Sequence, residues 1–183
     1  MIPANERRFN AQIERLRSPE RLARLEVERV VDLCLRSVKA SSVLDVGAGS
    51  GIFAEAFSNR GLRVAGIDIN PEMVNVASEF VPTAQFRIAP MESIPFEDKT
   101  FDIVFLGHVL HEADDLPRAL EEAKRCAAMR VAVLEWPYKK EEMGPPIEHR
   151  LKTDTIIAFA KTAGFRHLET LPLSHMMLFL LTP

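Results

Sequence analysis

The residues best suited to chemistry lie in a short stretch, Val43–Gly51, that is typical of a buried strand followed by a glycine-rich turn and a helix. Gly47, Gly49 and Gly51 permit positive φ angles and allow another molecule to approach the backbone closely. The helix after the turn begins with unpaired N–H groups, which favour an anionic or strongly accepting ligand group. We therefore predict a nucleotide-like ligand across the end of the first strand.

Two acidic residues narrow this prediction. Asp45 precedes the first glycine by two positions, and the third glycine comes one residue earlier than in the G-x-G-x-x-G of dinucleotide-binding turns. Asp68 ends a second short strand about 20 residues after the glycines, where a carboxylate suits the two hydroxyls of a ribose. The D-x-G-x-G-x-G turn and this acid resemble the class I S-adenosylmethionine-dependent methyltransferases. The segment Phe101–Glu112 is similar to the fourth-strand motif of their small type-11, ubiquinone-biosynthesis-methyltransferase-like members.

This resemblance implies S-adenosylmethionine as the cofactor, with the glycine turn holding its methionine end. The implied cofactor-binding residues are Asp45, Gly47, Ala48, Gly49, Gly51, Asp68, Ile69, Asn70, Met73, Met91, Glu92, Gly107 and His108. No metal site is expected.

Several of these residues have a purely structural alternative. Ile69 and Met73 can wall the adenine ring or belong to the core, and Asn70 is the predicted cap of the next helix. Pro90 stands where the family usually has an acid that contacts the adenine amino group. The backbone N–H groups of Met91 and Glu92 can serve the ring instead, and Glu92 is otherwise a solvated turn residue.

Two histidines follow the fourth strand and are the candidate catalytic residues. With an unperturbed pKa of about 6.5, His108 could take a proton from a substrate hydroxyl or amine, or it could pin the loop by a hydrogen bond. His111 is either a partner of that group or a surface residue. Trp136 and Tyr138 could wall a pocket for an acceptor, and His149 and Arg150 are further candidates, although exposed loop charge is the commoner explanation.

The hydrophobic pattern alternates strands and helices from residue 42 onward, which is typical of a parallel sheet with helices on both faces. The resemblance implies a doubly wound α/β, Rossmann-like sheet of seven strands, mostly parallel, with an antiparallel C-terminal hairpin. The predicted strands cover residues 42–46, 63–68, 85–88, 100–106, 130–135, 165–171 and 175–181. The predicted helices cover residues 51–60, 71–80, 116–129 and 153–163, after a helix that Ser18 caps.

Length and composition limit the classes of protein that fit. The 183 residues suffice for one sizeable domain, so we expect a single domain over residues 1–183, with 1–40 as a helical cap and 41–183 as the core. A net charge of −3 predicts no large basic surface for nucleic acid, and the arginines of residues 1–30 are interpreted as a solvated helix face. Cys34 and Cys126 fit apolar helical patterns, which favours buried thiols and a reducing cytoplasm. Neither a signal peptide nor a membrane span is expected.

These observations favour methyl transfer from S-adenosylmethionine to a small-molecule acceptor, by in-line displacement in a pocket at the carboxyl ends of the strands. A non-catalytic S-adenosylmethionine-binding protein or regulatory subunit is the alternative. A nicotinamide-linked oxidoreductase is disfavoured by the glycine spacing and by the lack of a Tyr-x-x-x-Lys pair. The acceptor and the choice between monomer and homodimer are open.

Overall fold

A computed structural model of the chain describes residues 16–141 and 143–183. Predictions that concern Arg7, Arg8, Arg15 and the N-terminal part of the helical cap lie outside these residues.

Seven strands form one sheet in the order β3-β2-β1-β4-β5-β7-β6. The strands are β1 (Ser42–Val46), β2 (Arg63–Asp68), β3 (Gln85–Ile88), β4 (Phe101–Gly107), β5 (Ala127–Glu135), β6 (His167–Pro172) and β7 (Met177–Thr182). The strands β1 to β5 pair in parallel, and β7 runs antiparallel to both β5 and β6. This confirms the predicted sheet with its antiparallel C-terminal hairpin. Every residue of β1 is buried, as expected of a central strand covered on both faces.

The helices of the described residues begin where the sequence provides caps. They are α1 (Pro19–Leu25), α2 (Val27–Leu35), α3 (Ile52–Asn59), α4 (Pro71–Phe80), α5 (Leu116–Cys126) and α6 (Thr153–Thr162), with 3₁₀ turns at Leu110–Glu112 and Ile147–His149. Ser18, Asn70 and Asp115 each accept a hydrogen bond from a backbone N–H in the first turn of the helix that follows. None of these helices combines the length and the apolarity that a membrane crossing needs.

Several predicted boundaries are wrong, and β7 begins at Met177 rather than at residue 175. The single predicted N-terminal helix is broken at Glu26, which adopts a left-handed conformation with φ 47°. The helix predicted to reach Met129 ends at Cys126, and β5 already begins at Ala127 because Ala127 pairs with Phe101 of β4. The strand β6 begins at His167 and includes Pro172, where the pattern had predicted residues 165–171.

The sheet separates two apolar clusters. One cluster joins α5 and α6 to the sheet through residues such as Leu120 and Ile156. The other joins α1, α2 and α3 to it, with Val31 and Phe57 fully buried. Cys34 and Cys126 are both buried, free thiols, and burial raises their pKa to about 12 and about 11. Because the helices pack on the two faces of the sheet, the carboxyl ends of the parallel strands form an edge at which a site can lie.

Candidate active site

The topology of the sheet brings the predicted residues to one edge. The strand order reverses at β1, whose neighbours are β2 and β4, and ligands of such sheets bind outside the carboxyl ends of the strands at this point. Gly47, Asp68, His108 and Trp136 directly follow or end β1, β2, β4 and β5. The sequence-predicted groups therefore converge from four adjacent strands.

The glycine turn has the conformation that its sequence predicts. Gly47, Gly49 and Gly51 have φ angles of 67°, 52° and 77°. The N–H groups of Gly47 and Ala48 donate to the carbonyl oxygen of Ile67 at 2.8 and 3.0 Å, which ties the turn to β2. A Cβ on Gly47 would lie 2.4 Å from the side chain of Val109, whereas a Cβ on Gly49 would meet nothing within 4 Å. The space above Gly49 is therefore open to a ligand.

Asp68 links the glycine turn to the next helix. Its Oδ2 accepts from the N–H of Gly49 at 2.8 Å, and its Oδ1 accepts from the N–H of Asn70 at 2.9 Å. Burial raises the pKa of Asp68, against the effect of these two donors. Each carboxylate oxygen retains capacity for a second hydrogen bond, so the residue can receive the two hydroxyls of a ribose. With the open space over Gly49, this fits the adenosyl cofactor that the resemblance implies.

Asp45 lies beneath the turn. It is 2% exposed, and its Oδ2 accepts from the N–H of Ala54 in the first turn of α3 at 3.0 Å. Burial raises its pKa to about 8, and the nearby charge of Asp68 adds to this effect. Asp45 therefore anchors α3 under the glycine turn.

An apolar surface lies beside Asp68. Ile69 is 43% exposed, which suits the predicted wall against an aromatic ring, whereas Met73 is one of the buried residues of α4. Ile88 is 60% exposed and pairs with Asp68 across β2 and β3. The sequence analysis did not single out Ile88, although its position at the end of β3 is a signal that could have identified it.

The segment after β3 has a structural role that the sequence did not reveal. The Oε1 atom of Glu92 accepts from the N–H groups of Asp114 and Asp115 at 2.8 and 3.3 Å, which orders the entry to α5. Met91 is half-buried and packs against the core. The side chain of Glu92 is therefore committed to this loop.

His108 presents unused hydrogen-bonding groups at the site. Its backbone has a φ of 59° and its N–H donates to the carbonyl of Leu134 at 2.8 Å, so the backbone holds the residue in place. Its two ring nitrogens are buried and have no hydrogen-bond partner among the described residues. Burial lowers the pKa of His108 to about 3, with Arg21 acting in the same direction and Glu135 against it. The imidazole is therefore neutral, and no hydrogen bond from its ring to a described residue pins the loop.

His111 forms a buried pair with Glu135 at the end of β5. The Nδ1 atom of His111 lies 2.9 and 3.1 Å from the two carboxylate oxygens of Glu135, and its backbone N–H also donates to Oε1. Burial raises the pKa of Glu135, but the contacts with His111 outweigh it and the net shift is downward. His111 is therefore not a surface residue. Glu135, which sequence reasoning missed, fixes its ring.

Two arginines lie where the sequence analysis did not expect them. Arg150 is 5% exposed, so its interpretation as an exposed loop charge is wrong, and its guanidinium lies 5.3 Å from the Trp136 ring centre. Arg17 is not on a solvated face: it donates to the carbonyl of Ser50 at 2.6 Å, pairs with Glu55 and lies over the ring of Phe80. Arg17 therefore contacts the glycine turn from the N-terminal side.

The comparisons with known proteins agree with this geometry. Residues 44–130 match the family described as "Methyltransferase domain". The uncharacterized methyltransferase YcgJ of Bacillus subtilis is 40% identical over 88 residues, which cover 45% of this chain and 35% of that protein. The demethylmenaquinone methyltransferase of Chlorobaculum tepidum is 30% identical over 92 residues, which cover 50% and 38%. The chain thus spans just over a third of the length of these relatives.

One solved structure matches over its whole length. The crystal structure of a SAM-dependent methyltransferase from Aquifex aeolicus superposes with a TM-score of 0.84 and 25% identity, covering 100% of this chain and 99% of that one. The strand order, the glycine turn with Asp68, and these matches define a Rossmann-like methyltransferase fold. The family match over residues 44–130, the relatives and this solved structure together support a class I S-adenosylmethionine-dependent methyltransferase.

Proposed function

We propose that this protein transfers a methyl group from S-adenosylmethionine to a small-molecule acceptor bound at the carboxyl ends of β1, β4 and β5. The observation that carries the proposal is the placement of Asp68: its carboxyl group accepts from Gly49 and Asn70 beside an open turn. This arrangement suits a ribose and leaves room above the turn for the amino-acid moiety of the cofactor. The relative named for demethylmenaquinone supports an acceptor of small-molecule size.

The side chains need only position the reactants in this reaction and do not have to activate the methyl group. Bound S-adenosylmethionine supplies an activated methyl group on a sulfonium for in-line displacement. The protein then needs to hold donor and acceptor in line and to exclude water, and such positioning supplies several kcal/mol. The contacts that support this positioning role are those of Asp68 with the glycine turn and of His108 with Trp136.

In this proposal, His108 is the residue that hydrogen-bonds to the acceptor. Its neutral ring has one nitrogen that accepts a hydrogen bond and one that donates, and neither is used by the described residues. An acceptor with a hydroxyl or amine group can donate to it, which orients the nucleophilic atom. The buried carboxylate of Glu135 holds the proton on Nδ1 of His111, so the neighbouring ring is fixed.

The first test is binding. Replacing Asp68 with Ala is expected to weaken S-adenosylmethionine binding by about 1.5–3 kcal/mol, the scale of a hydrogen bond to a charged group. Asp102 is the control, because its carboxylate accepts from Ser41 and Ser42 at the start of β1 and β4, on the opposite edge of the sheet. Calorimetry with S-adenosylmethionine and, separately, with NADH measures the effect. Unchanged affinity in Asp68→Ala, or binding of NADH alone, would contradict the proposal.

The second test separates an enzyme from a binding protein. S-adenosylmethionine with a labelled methyl group is incubated with panels of hydroxyl, amine and thiol acceptors. The expected result at a subsaturating cofactor concentration is transfer that Asp68→Ala slows and Asp102→Ala leaves unchanged. Tight binding of the cofactor without transfer to any panel would favour a non-catalytic or regulatory role.

A further inference from the structure

The loop after β5 is organised around one buried side chain. Arg150 is almost fully buried and ends the second 3₁₀ turn. Its guanidinium donates at 2.7–3.1 Å to the backbone carbonyls of Pro137, Lys139, Met143 and Pro145. It also lies 3.3 Å from a carboxylate oxygen of Glu141. A planar group with five N–H donors is suited to gathering several carbonyls at once, which an ammonium group does poorly.

This loop rests on the single tryptophan of the chain. Gly144, with a φ of 90°, approaches the Trp136 ring so closely that a Cβ would lie 2.7–2.8 Å from ring atoms. Arg150 contacts the same ring from 5.3 Å. Trp136 is 6% exposed. Its position is therefore set by the loop as well as by β5.

Trp136 in turn contacts the one polar ring of the site that has free hydrogen-bonding groups. The ring centres of His108 and Trp136 are 5.2 Å apart with an edge-on geometry. Because neither nitrogen of His108 is hydrogen-bonded within the described residues, no such bond fixes the rotation of its ring. Packing against Trp136 orients it instead.

We infer that Arg150 is a positioning residue for His108. It acts by holding residues 137–141 and 143–150, including Gly144, against Trp136, so that Trp136 forms a rigid wall beside the imidazole. This wall limits the acceptor to a molecule that reaches His108 from the side away from Gly144. Only the statement about the acceptor rests on the proposed function. The mechanical coupling from Arg150 to His108 does not.

The principal variant is Arg150→Lys, compared with Arg125→Lys. Arg125 makes a similar network, to the carbonyls of Ile94 and Phe96 and the carboxylate of Glu122, near the start of β4. Both variants lose a guanidinium that donates to backbone carbonyls, buried at Arg150 and half-buried at Arg125, but Arg125→Lys leaves the Trp136 wall untouched. Circular dichroism first shows that each variant is folded.

Two readouts report on the wall without cofactor or acceptor. Trp136 is the only tryptophan, so quenching of intrinsic fluorescence by acrylamide measures its exposure directly. The ring ¹⁵N signals of the five histidines measure imidazole environment, with His108 identified by its loss in His108→Gln. Arg150→Lys is expected to raise the quenching constant about threefold or more and to shift the His108 signals. Arg125→Lys is expected to change neither.

A second pair of variants tests the coupling if Arg150→Lys does not fold. Gly144→Ala keeps Arg150 but pushes a methyl group into the Trp136 ring, so it is expected to shift the His108 signals. Gly61→Ala is its control, because Gly61 also has a positive φ, 81°, yet a Cβ there would meet nothing within 4 Å. Unchanged His108 signals in folded Arg150→Lys or Gly144→Ala would overturn the inference, as would equal changes in the controls.

The same proteins separate this inference from the proposed function. Calorimetry with S-adenosylhomocysteine is run on the wild type and on each variant. A wild type that binds neither this product nor S-adenosylmethionine would overturn the proposed function. The fluorescence and nitrogen signals would still confirm or overturn the coupling of Arg150 to His108.

Discussion

His108 and Asp45 are buried ionisable residues near the strand ends, and burial favours the neutral form of both. The pKa of His108 is lowered to about 3 and that of Asp45 is raised to about 8. Burial disfavours a charge whatever its sign, so it shifts an acid and a base in opposite directions. Each shift implies a distinct dependence of stability on pH.

His108 should make the protein sensitive to acid. The unfolded chain binds a proton at His108 near pH 6.5, whereas the folded chain binds it only near pH 3. The free energy of unfolding should therefore fall between these values by up to about 1.4 kcal/mol per pH unit from this residue. His108→Gln should flatten that slope in urea unfolding at pH 7, 6 and 5. An identical slope in the variant would show that His108 is protonated in the folded state.

Asp45 should have the opposite dependence. Because its folded pKa exceeds the unfolded value, its contribution to stability is complete below about pH 4 and is lost as the pH rises through 8. Asp45→Asn keeps an oxygen for the N–H of Ala54 and removes the charge. We expect it to raise the free energy of unfolding at pH 8 by about 1–3 kcal/mol relative to the wild type.

The control for this prediction is Asp102→Asn. Burial acts to raise the pKa of Asp102, but the hydrogen bonds from Ser41 and Ser42 outweigh it and the pKa is lowered. Replacing this carboxylate should therefore destabilise the protein at neutral pH. Destabilisation by Asp45→Asn at pH 8 would mean that Asp45 is ionised in the folded chain.

At the scale of elements, two glycines of the same turn have different roles. Gly47 is needed for packing, whereas Gly49 leaves space for a ligand. A methyl group on Gly47 would overlap Val109 and strain a positive φ, so Gly47→Ala should cost about 2–4 kcal/mol of stability. Gly49→Ala has the strain alone and should cost about 1–2 kcal/mol. Urea unfolding measures both.

For cofactor binding we expect the opposite order from stability, with the larger effect at Gly49. The methyl group of Gly49→Ala enters the open space above the turn, so it should weaken S-adenosylmethionine binding at least tenfold while the fold persists. Adding Val109→Ala to Gly47→Ala should recover part of its lost stability, because it removes the overlapping side chain. No recovery would indicate that strain rather than overlap dominates at Gly47.

The element boundaries show which local signals are reliable. The predicted strands Ser42–Val46, Arg63–Asp68 and Gln85–Ile88 are confirmed to the residue, and an apolar run with a following turn marks the first two. The helix break at Glu26 carries no glycine or proline signal. It is stabilised by distant contacts, since the carboxylate of Glu26 accepts from the N–H of Ser174 at 2.8 Å.

At the scale of the whole molecule, the N-terminal helices share a core with the sheet. Leu25 and Val31 belong to the same apolar cluster as Phe57, Phe105 and Trp136. The single-domain prediction for residues 1–183 therefore implies one cooperative transition.

Leu25→Ala tests this prediction. It removes a side chain that is 3% exposed and should lower the free energy of unfolding by about 2–5 kcal/mol. Unfolding followed by Trp136 fluorescence and by far-ultraviolet circular dichroism should give coincident curves in both wild type and variant. Separate midpoints would mean that the N-terminal helices unfold independently of the core.

The amino-acid sequence alone determined the family resemblance, the order of strands and helices, and the grouping of Gly49, Asp68 and His108 at one edge. These follow from local patterns, because the direction of each strand and the position of each turn are set by neighbouring residues. The tertiary structure decided the environment of each group: Asp45 is buried, the His108 ring has no hydrogen-bond partner among the residues that the structure describes, and Arg150 is the centre of a loop. The burial and the hydrogen-bond partners of a side chain depend on residues distant in the chain, and a single sequence does not specify which of these residues are in contact.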